Sequence, residues 1–132
     1  MVAPFSSSER GCHPAGMGIR RVVPDFQADD PGASAGFYTE VLGLDVAMDL
    51  GWIVTLVAPD NPAAQITLLR EDATASVQPD ASIEVDDVDA VYDAAQRAGY
   101  EIVHPLTDEP WGVRRFFVRD PNGKVLNVLT HR

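Results

Sequence analysis

The chain has 132 residues, of which 45% are hydrophobic and 23% charged, a composition typical of one globular domain that can bury a core. Twenty acidic against ten basic residues give a formal net charge of −10, which disfavours nucleic acid and anionic membranes as partners and favours a cationic molecule. No apolar run is long enough to cross a membrane, no signal-peptide pattern is present, and the single Cys12 cannot form an internal disulfide, so we expect a cytoplasmic protein.

The first half of the chain reads as a tail followed by one strand, one helix and three strands. Residues 1–17 lack hydrophobic periodicity and are predicted to form a flexible N-terminal tail. A strand over 19–28 contains Pro24, which lacks a backbone donor and favours an edge or inter-subunit position. Asp29-Asp30-Pro31 starts a helix that runs to Leu42 and ends at Gly43. The three strands that follow are predicted at 44–50, 52–58 and 64–70.

The second half reads in the same way after a polar linker over 71–79. A strand over 81–85 leads to Asp86-Asp87, which starts a helix over 88–98 that is capped by Gly99. A strand over 100–104 and a loop over 105–110 come next. The last two strands, 113–119 and 124–130, alternate apolar and polar residues around the turn Asp120-Pro121-Asn122-Gly123, and so predict a hairpin.

The two halves repeat each other. Asp29-Asp30, helix and Gly43 in the first half match Asp86-Asp87, helix and Gly99 in the second, at offsets of 57 and 56 residues counted along the chain. Each half is β-α-β-β-β, which predicts an α+β fold of two tandem modules, 18–70 and 80–131, within one domain over 18–132. Two curved modules of this kind would enclose a cleft.

Several motifs then support a family resemblance. They are Phe37-Tyr38-x-x-Val41-Leu42-Gly43-Leu44, Val85-Asp86-Asp87 with Ala98-Gly99-Tyr100, and Trp111-Gly112-Val113-Arg114 followed by Asp120-Pro121-Asn122-Gly123. In this order and spacing the chain resembles the glyoxalase/bleomycin resistance/extradiol dioxygenase group, the vicinal oxygen chelate superfamily. The resemblance implies the glyoxalase/bleomycin resistance fold, a homodimer, and a ligand cleft formed by curved sheets.

The resemblance also implies where a metal would bind. Enzymes of the superfamily hold a divalent metal through a His or Gln in the first strand and a Glu, or a similar donor, in the last strand of each module. Those positions fall on Val23, Asp80, Asn127, and Thr67 or Leu68 in this chain. Asp80 is the one good ligand among them, so we expect no metal cofactor and place the chain nearest to the metal-free, bleomycin-resistance-like branch.

That branch binds drugs or metabolites without transforming them. Pro24, the run Pro110 to Arg114 and the acidic charge are all similar to it, so we predict sequestration of a small, partly aromatic and preferably cationic molecule. No catalytic residue is assigned. Arg114 and Arg115 point to opposite faces of one strand. One of Phe116 and Phe117 must face the cleft or a partner subunit, while the other packs under a helix. The candidate ligand-binding residues are Trp111, Trp52, Phe26, Arg114, Phe116 and Asn127.

Two other classes of function stay open at this stage. One is a metal-dependent lyase, isomerase, dioxygenase or thiol transferase of the same superfamily, which would use Asp80 with unconventional partners. The other is an interaction protein whose cleft is filled by its own side chains. A binder, in contrast, predicts an open cleft with Trp111 or Trp52 on its wall.

Overall fold

The computed structural model describes residues 18–72 and 74–132, so the predicted tail over 1–17 lies outside the described residues. The chain forms eight strands and two helices within this part. In chain order they are β1 (Ile19–Gln27), α1 (Pro31–Leu42), β2 (Asp45–Asp49), β3 (Ile53–Ala58), β4 (Asn61–Leu69), β5 (Ala81–Val85), α2 (Val88–Arg97), β6 (Ile102–Glu109), β7 (Val113–Arg119) and β8 (Val125–His131).

The strands form one mixed sheet that contains both modules. Its order is β2-β3-β4-β1-β5-β8-β7-β6, so the first module occupies one half of the sheet and the second module the other. The halves meet where β1 pairs antiparallel with β5, as Val23 opposite Ser82 and Pro24 opposite Ala81. Within each half the first strand pairs in parallel with the last, β1 with β4 and β5 with β8. The predicted α+β fold of two β-α-β-β-β modules is confirmed.

Both helices begin at aspartates that the sequence identified. The Asp30 carboxylate accepts a hydrogen bond from Ala33 N at 3.2 Å, and the Asp87 carboxylate accepts one from Ala90 N at 3.1 Å. Gly43 ends α1 with a φ of 70°, in the left-handed region that glycine adopts without strain. The same capping chemistry therefore starts the helix of each module.

The helices cover one face of the sheet and leave the other for the cleft. Under α1, Ala35 packs with Val54, Leu56 and Leu68, whereas under α2 the core contains Phe116, which meets Tyr92 edge-on. Because successive strand residues point to opposite faces, the neighbours of these core residues line the cleft.

The prediction that Pro24 places β1 at an edge or between subunits is wrong, because β1 lies in the middle of the sheet. β1 pairs with β5 as far as Pro24 and with β4 from Asp25 onwards. Pro24 therefore falls where the strand changes partners, a place at which a missing backbone donor is tolerated.

The loop predicted over 105–110 is also wrong. β6 continues through Pro105 to Glu109, with two register shifts between Ile102 and Thr107. β6 is an edge strand, so it can include a proline and bulges without leaving a neighbouring strand unpaired.

Candidate functional site

A cavity of about 520 Å³ opens on the sheet face that the helices leave free, and both modules contribute to its wall. Its apolar wall includes Trp52 and Leu69 from the first module and Trp111 and Leu129 from the second. The cavity is therefore open, unlike the filled cleft that an interaction protein predicts. Its polar lining residues are Arg21, Asp25, Thr55, Gln65, Thr67, Asp72, Ser82, Glu84, Arg115, Asn127 and His131.

A row of three hydrogen-bonded side chains crosses the floor of the cavity where the modules meet. Asn127 Nδ2 donates to Ser82 Oγ at 3.0 Å, and Ser82 Oγ donates to Asp25 Oδ2 at 2.6 Å. Asp25 and Asn127 are both 8% exposed. Thr67 lies opposite Asp25 on β4, as Asn127 lies opposite Ser82 on β8. The row thus joins β1, β5 and β8, strands from both modules.

Asp25 is the carboxyl group of the cavity whose pKa is raised most by its surroundings. Burial raises its pKa from the ordinary value of 3.8 to about 7, against the opposing effect of the Ser82 hydrogen bond. The negative charges of Asp72 and Asp80 add to the rise, and the positive charge of Arg115 opposes it. A carboxyl group in a cleft that titrates near neutral pH can exchange a proton with a bound molecule.

Arg115 holds the segment between the modules against the hairpin β6–β7. Its guanidinium makes a two-pronged ion pair with Asp72, at 2.9 and 3.0 Å, and Nε donates to Glu109 at 2.6 Å. Thr74 Oγ1 accepts from the same guanidinium at 2.8 Å and donates to Glu109 at 3.1 Å. Arg115, Asp72 and Glu109 are nearly inaccessible, so one buried guanidinium is shared by two buried carboxylates.

Aromatic rings surround the Arg115 guanidinium on the cavity side. Its central carbon lies 5.0 Å from the Trp111 ring centre and 4.8 Å from the Phe117 ring centre, within the range of cation–π attraction. Burial alone raises the pKa of Asp72, but hydrogen bonds from Arg115 and Thr74 outweigh it, and the pKa lies below its ordinary value. Arg115 and Asp72 therefore form a charged pair that fixes the cavity wall and the Trp111 ring.

A second charged group lies at the other end of the floor. Glu84 Oε1 is 2.9 Å from Arg21 Nε, and Glu84 Oε2 is 2.9 Å from His131 Nδ1. Both cations that line the cavity, Arg21 and Arg115, thus contact carboxylates other than Asp25.

Three of the predicted ligand-binding residues line the cavity: Trp52, Trp111 and Asn127. Trp111 is half exposed, whereas the Asn127 side chain is buried in the floor. The metal-ligand candidate Asp80 is exposed, does not line the cavity, and accepts a hydrogen bond from Val125 N at 2.8 Å through Oδ2. Asp80 therefore ties β5 to β8.

Three other predicted residues lie on the opposite face of the sheet, and for them the prediction is wrong. Phe116 is fully buried beneath α2, and Phe26 is 44% exposed on the helix side of β1. Arg114 forms ion pairs with Asp89 and Asp108 at the surface. Strand alternation allowed each residue to lie on either face of the sheet. The residues of these strands that line the cleft are their neighbours, Arg115 and Asp25.

Asp25, Ser82 and the Asp72–Arg115–Glu109 cluster were not among the site residues predicted from the sequence. Asp25 and Ser82 are 57 residues apart, the same offset as the repeated Asp29 and Asp86, so the repeat itself marks them as equivalent positions. No sequence pattern indicates the Asp72–Arg115–Glu109 cluster, because Asp72 lies in the linker and contacts Arg115 only in the folded protein.

The residues of the cleft do not fit a divalent metal. Within residues 18–72 and 74–132, no group of three or more His, Cys, Asp or Glu side chains converges as a metal site requires. Of the positions that the family uses for ligands, Val23 has no donor, Thr67 and Asn127 are neutral, and Asp80 does not line the cavity. We therefore derive no chemical step through a metal.

A comparison of sequences identifies the family. The model of the glyoxalase/bleomycin resistance protein/dioxygenase superfamily matches residues 18–128, nearly all of the described part of the chain. The chain belongs to this superfamily. A comparison of this superfamily member with curated proteins found no match.

Several solved structures share the fold of this chain. A superfamily member from Vibrio splendidus 12B01 is 19% identical, with 85% of this chain and 98% of that chain covered and a TM-score of 0.65. Methylmalonyl-CoA epimerase from Mycobacterium tuberculosis is 17% identical, with 94% and 95% covered and a TM-score of 0.64. A Legionella pneumophila protein described as an NAD-dependent benzaldehyde dehydrogenase is 18% identical, with 84% and 99% covered and a TM-score of 0.67. At these identities the likeness concerns the fold alone.

The helices are short and partly polar. No helix in the described residues has the length and apolar character needed to cross a membrane.

Proposed function

We propose that this superfamily member binds a small, partly aromatic and preferably cationic molecule in the cleft between its modules, and sequesters it without using a metal. The observation that carries the proposal is the open cavity of about 520 Å³ with Trp52 and Trp111 on its wall. Pockets for small molecules measure roughly 300 to 1,000 Å³ and are mostly apolar with a few polar groups, which describes this cavity.

The composition of the wall supports an aromatic ligand. Tryptophan rings offer large contact areas at a low entropy cost. Trp111 already rests on the Arg115 guanidinium, so its outer face is available without a change in the protein core. The polar floor then fixes one end of the ligand while the apolar wall holds its body.

Charge supports a cationic ligand. The protein carries a formal net charge of −10, and carboxyl groups of Asp25, Asp72 and Glu84 line the cavity against the guanidinium groups of Arg21 and Arg115. The negative field of the whole molecule raises the local concentration of cations and speeds their association.

Removing a tryptophan side chain from the wall should weaken binding. We expect Trp111→Ala, and separately Trp52→Ala, to cost about 1 to 3 kcal/mol of binding free energy for an aromatic probe such as 2-naphthylmethylamine, measured by calorimetry. Phe26→Ala is the matched control, because Phe26 is an aromatic residue on the helix side of the sheet. Equal affinities for the wild-type protein and both tryptophan variants would contradict the proposed binding wall.

Metal analysis tests the mechanism. Protein purified without chelators or an affinity tag should contain no stoichiometric metal, and titration with nickel, zinc, iron(II) or manganese should show no tight uptake, because the cleft lacks a convergent donor set. One tightly bound ion per chain would instead favour the metal-dependent lyase, isomerase, dioxygenase or thiol transferase of the same superfamily.

The cellular context of this function stays a prediction. We propose that the protein sequesters its ligand in the cytoplasm and that it forms a homodimer. The apolar residues Phe37, Val41 and Leu42 are each more than half exposed on α1, as expected for a surface that a second copy could cover.

A further inference from the structure

Asp25 differs from the other carboxyl groups of the cleft in its partners. Its Oδ2 accepts from Ser82 at 2.6 Å, and within residues 18–72 and 74–132 no ion pair includes it. Asp72 pairs with Arg115, and Glu84 pairs with Arg21 and His131. Asp25 is thus a buried acid of the cavity floor whose only side-chain partner in these residues is a neutral hydroxyl.

The floor contains one further hydrogen-bond acceptor that is unfilled. Asn127 Oδ1 is buried and lacks a hydrogen-bond donor among the described residues, whereas Glu84 Oε1 lies 2.9 Å from Arg21 Nε. A floor with unfilled acceptors attracts a ligand that brings several N–H donors, as an ammonium or amidinium group does.

We propose that Asp25 is the anchor for a protonated amine on the aromatic ligand, and that the bound cation displaces the proton that Asp25 holds in the free protein. This inference rests on the proposed function, because it assigns the cationic end of the same ligand. The amine keeps its own proton, and the proton of the Asp25 carboxyl group passes to the solvent.

The electrostatics of the floor support this exchange. Burial raises the pKa of Asp25 to about 7, so at neutral pH the free protein is a mixture of the neutral and the ionised forms. A cation within hydrogen-bond distance stabilises the ionised form and lowers that pKa. The charged groups around Asp25 come from all the elements near it: Arg21 on β1, Asp72 in the linker, Asp80 and Glu84 on or beside β5, Arg115 on β7 and His131 on β8.

The sign of the pH effect follows from linkage. Only the ionised form of Asp25 pairs with the cation, so affinity for an amine should rise with pH until Asp25 is fully ionised. With a pKa of about 7, the ionised fraction grows about tenfold between roughly pH 6 and pH 8, and the apparent affinity should grow by the same factor.

The test compares two probes of the same shape, 2-naphthylmethylamine, which is protonated at neutral pH, and 2-naphthalenemethanol, which is uncharged. Isothermal titration calorimetry should show the amine binding about tenfold more tightly near pH 8 than near pH 6, with the alcohol nearly unaffected. Near pH 7, titrations in phosphate and in Tris should reveal the release of about half a proton per amine bound, since Asp25 is about half protonated there.

Three variants locate the effect. Asp25→Asn keeps the shape of the side chain and should lose about tenfold in amine affinity near pH 8, together with the proton release. Asp60→Asn removes a charge from the exposed β3–β4 turn and should behave as the wild type. His131→Gln should keep the pH dependence whatever its effect on affinity, and this result would separate Asp25 from the imidazole group that also lines the cavity.

The outcomes separate this inference from the proposed function. If both probes bind with equal affinity and no pH dependence, the cation anchor is overturned while the aromatic binding site stands. If Asp25→Asn, folded as judged by circular dichroism, binds the amine with unchanged affinity and proton release, Asp25 is not the anchor. If the folded wild-type protein binds neither probe, the proposed function is contradicted and this inference falls with it.

Discussion

Replacing Arg115 with methionine should lower the free energy of unfolding by about 3 to 5 kcal/mol, because the substitution leaves buried carboxylates without their counter-ion. Asp72 and Glu109 both pair with this guanidinium, and Glu109 is 7% exposed. Urea unfolding near neutral pH measures the loss through the shift of the midpoint at constant slope.

The neighbouring residue is the matched control. Arg114 carries the same charge on the same strand, but it pairs at the surface with Asp89 and Asp108. Arg114→Met should therefore shift the midpoint by only a small fraction of the Arg115→Met effect. Combining Arg115→Met with Glu109→Gln should recover part of the lost stability, since one unpaired buried charge is removed. Equal midpoints for the two single arginine variants would show that the cluster does not stabilise the fold.

Replacing Asp25 with asparagine should make the protein more stable than the wild type, and increasingly so as the pH rises from about 4 to about 7. The pKa of Asp25 is raised from 3.8 to about 7 in the folded protein, so in this interval the folded state keeps a proton that the unfolded state releases. Wild-type stability contributed by this group therefore falls as pH rises through the interval and is constant above it. The variant has no such group, and its advantage should reach about 2 to 4 kcal/mol.

The difference between variant and wild type isolates Asp25. Groups with lowered pKa values, such as Asp72, lose stability as the pH falls, but they are present in both proteins and cancel. Asp60→Asn, on the exposed turn, should show a small difference that does not depend on pH in this way. A constant difference between Asp25→Asn and wild type from about pH 4 to pH 8 would mean that Asp25 titrates normally.

The last turn and the two helix starts were predictable from the sequence, because residues close together in the chain determine them. The Asp120 carboxylate accepts hydrogen bonds from Asn122 N and Lys124 N, and Gly123 has a φ of 84°, so the turn residues alone determine the last hairpin. The two helix starts are fixed in the same way by Asp30 and Asp87. Together with the internal repeat, these local patterns were enough to predict the arrangement of two β-α-β-β-β modules.

The predictions failed where the position of a residue in the fold depends on contacts with residues far away in the sequence. The neighbours of Pro24 and Pro105 in the sheet decide whether a proline is tolerated, and those neighbours come from other parts of the chain. Alternation showed that Arg114 and Arg115 lie on opposite faces, but only the helix over β7 decides which of them faces the cleft. Asp25 was missed because its altered pKa comes from burial, which a sequence does not display.

The repeated architecture has a consequence for how a ligand can lie in the cleft. The strand order reads the same from both edges when each strand is exchanged for its counterpart in the other module, and Trp52 and Trp111 precede the corresponding strands β3 and β7. Walls related in this way would accept a flat molecule equally well in either of two opposite directions. The floor removes that ambiguity, because the equivalent positions hold an acid in one module, Asp25, and a hydroxyl in the other, Ser82. The two ends of the cleft therefore differ chemically, and an unsymmetrical ligand of the proposed kind should bind in one orientation.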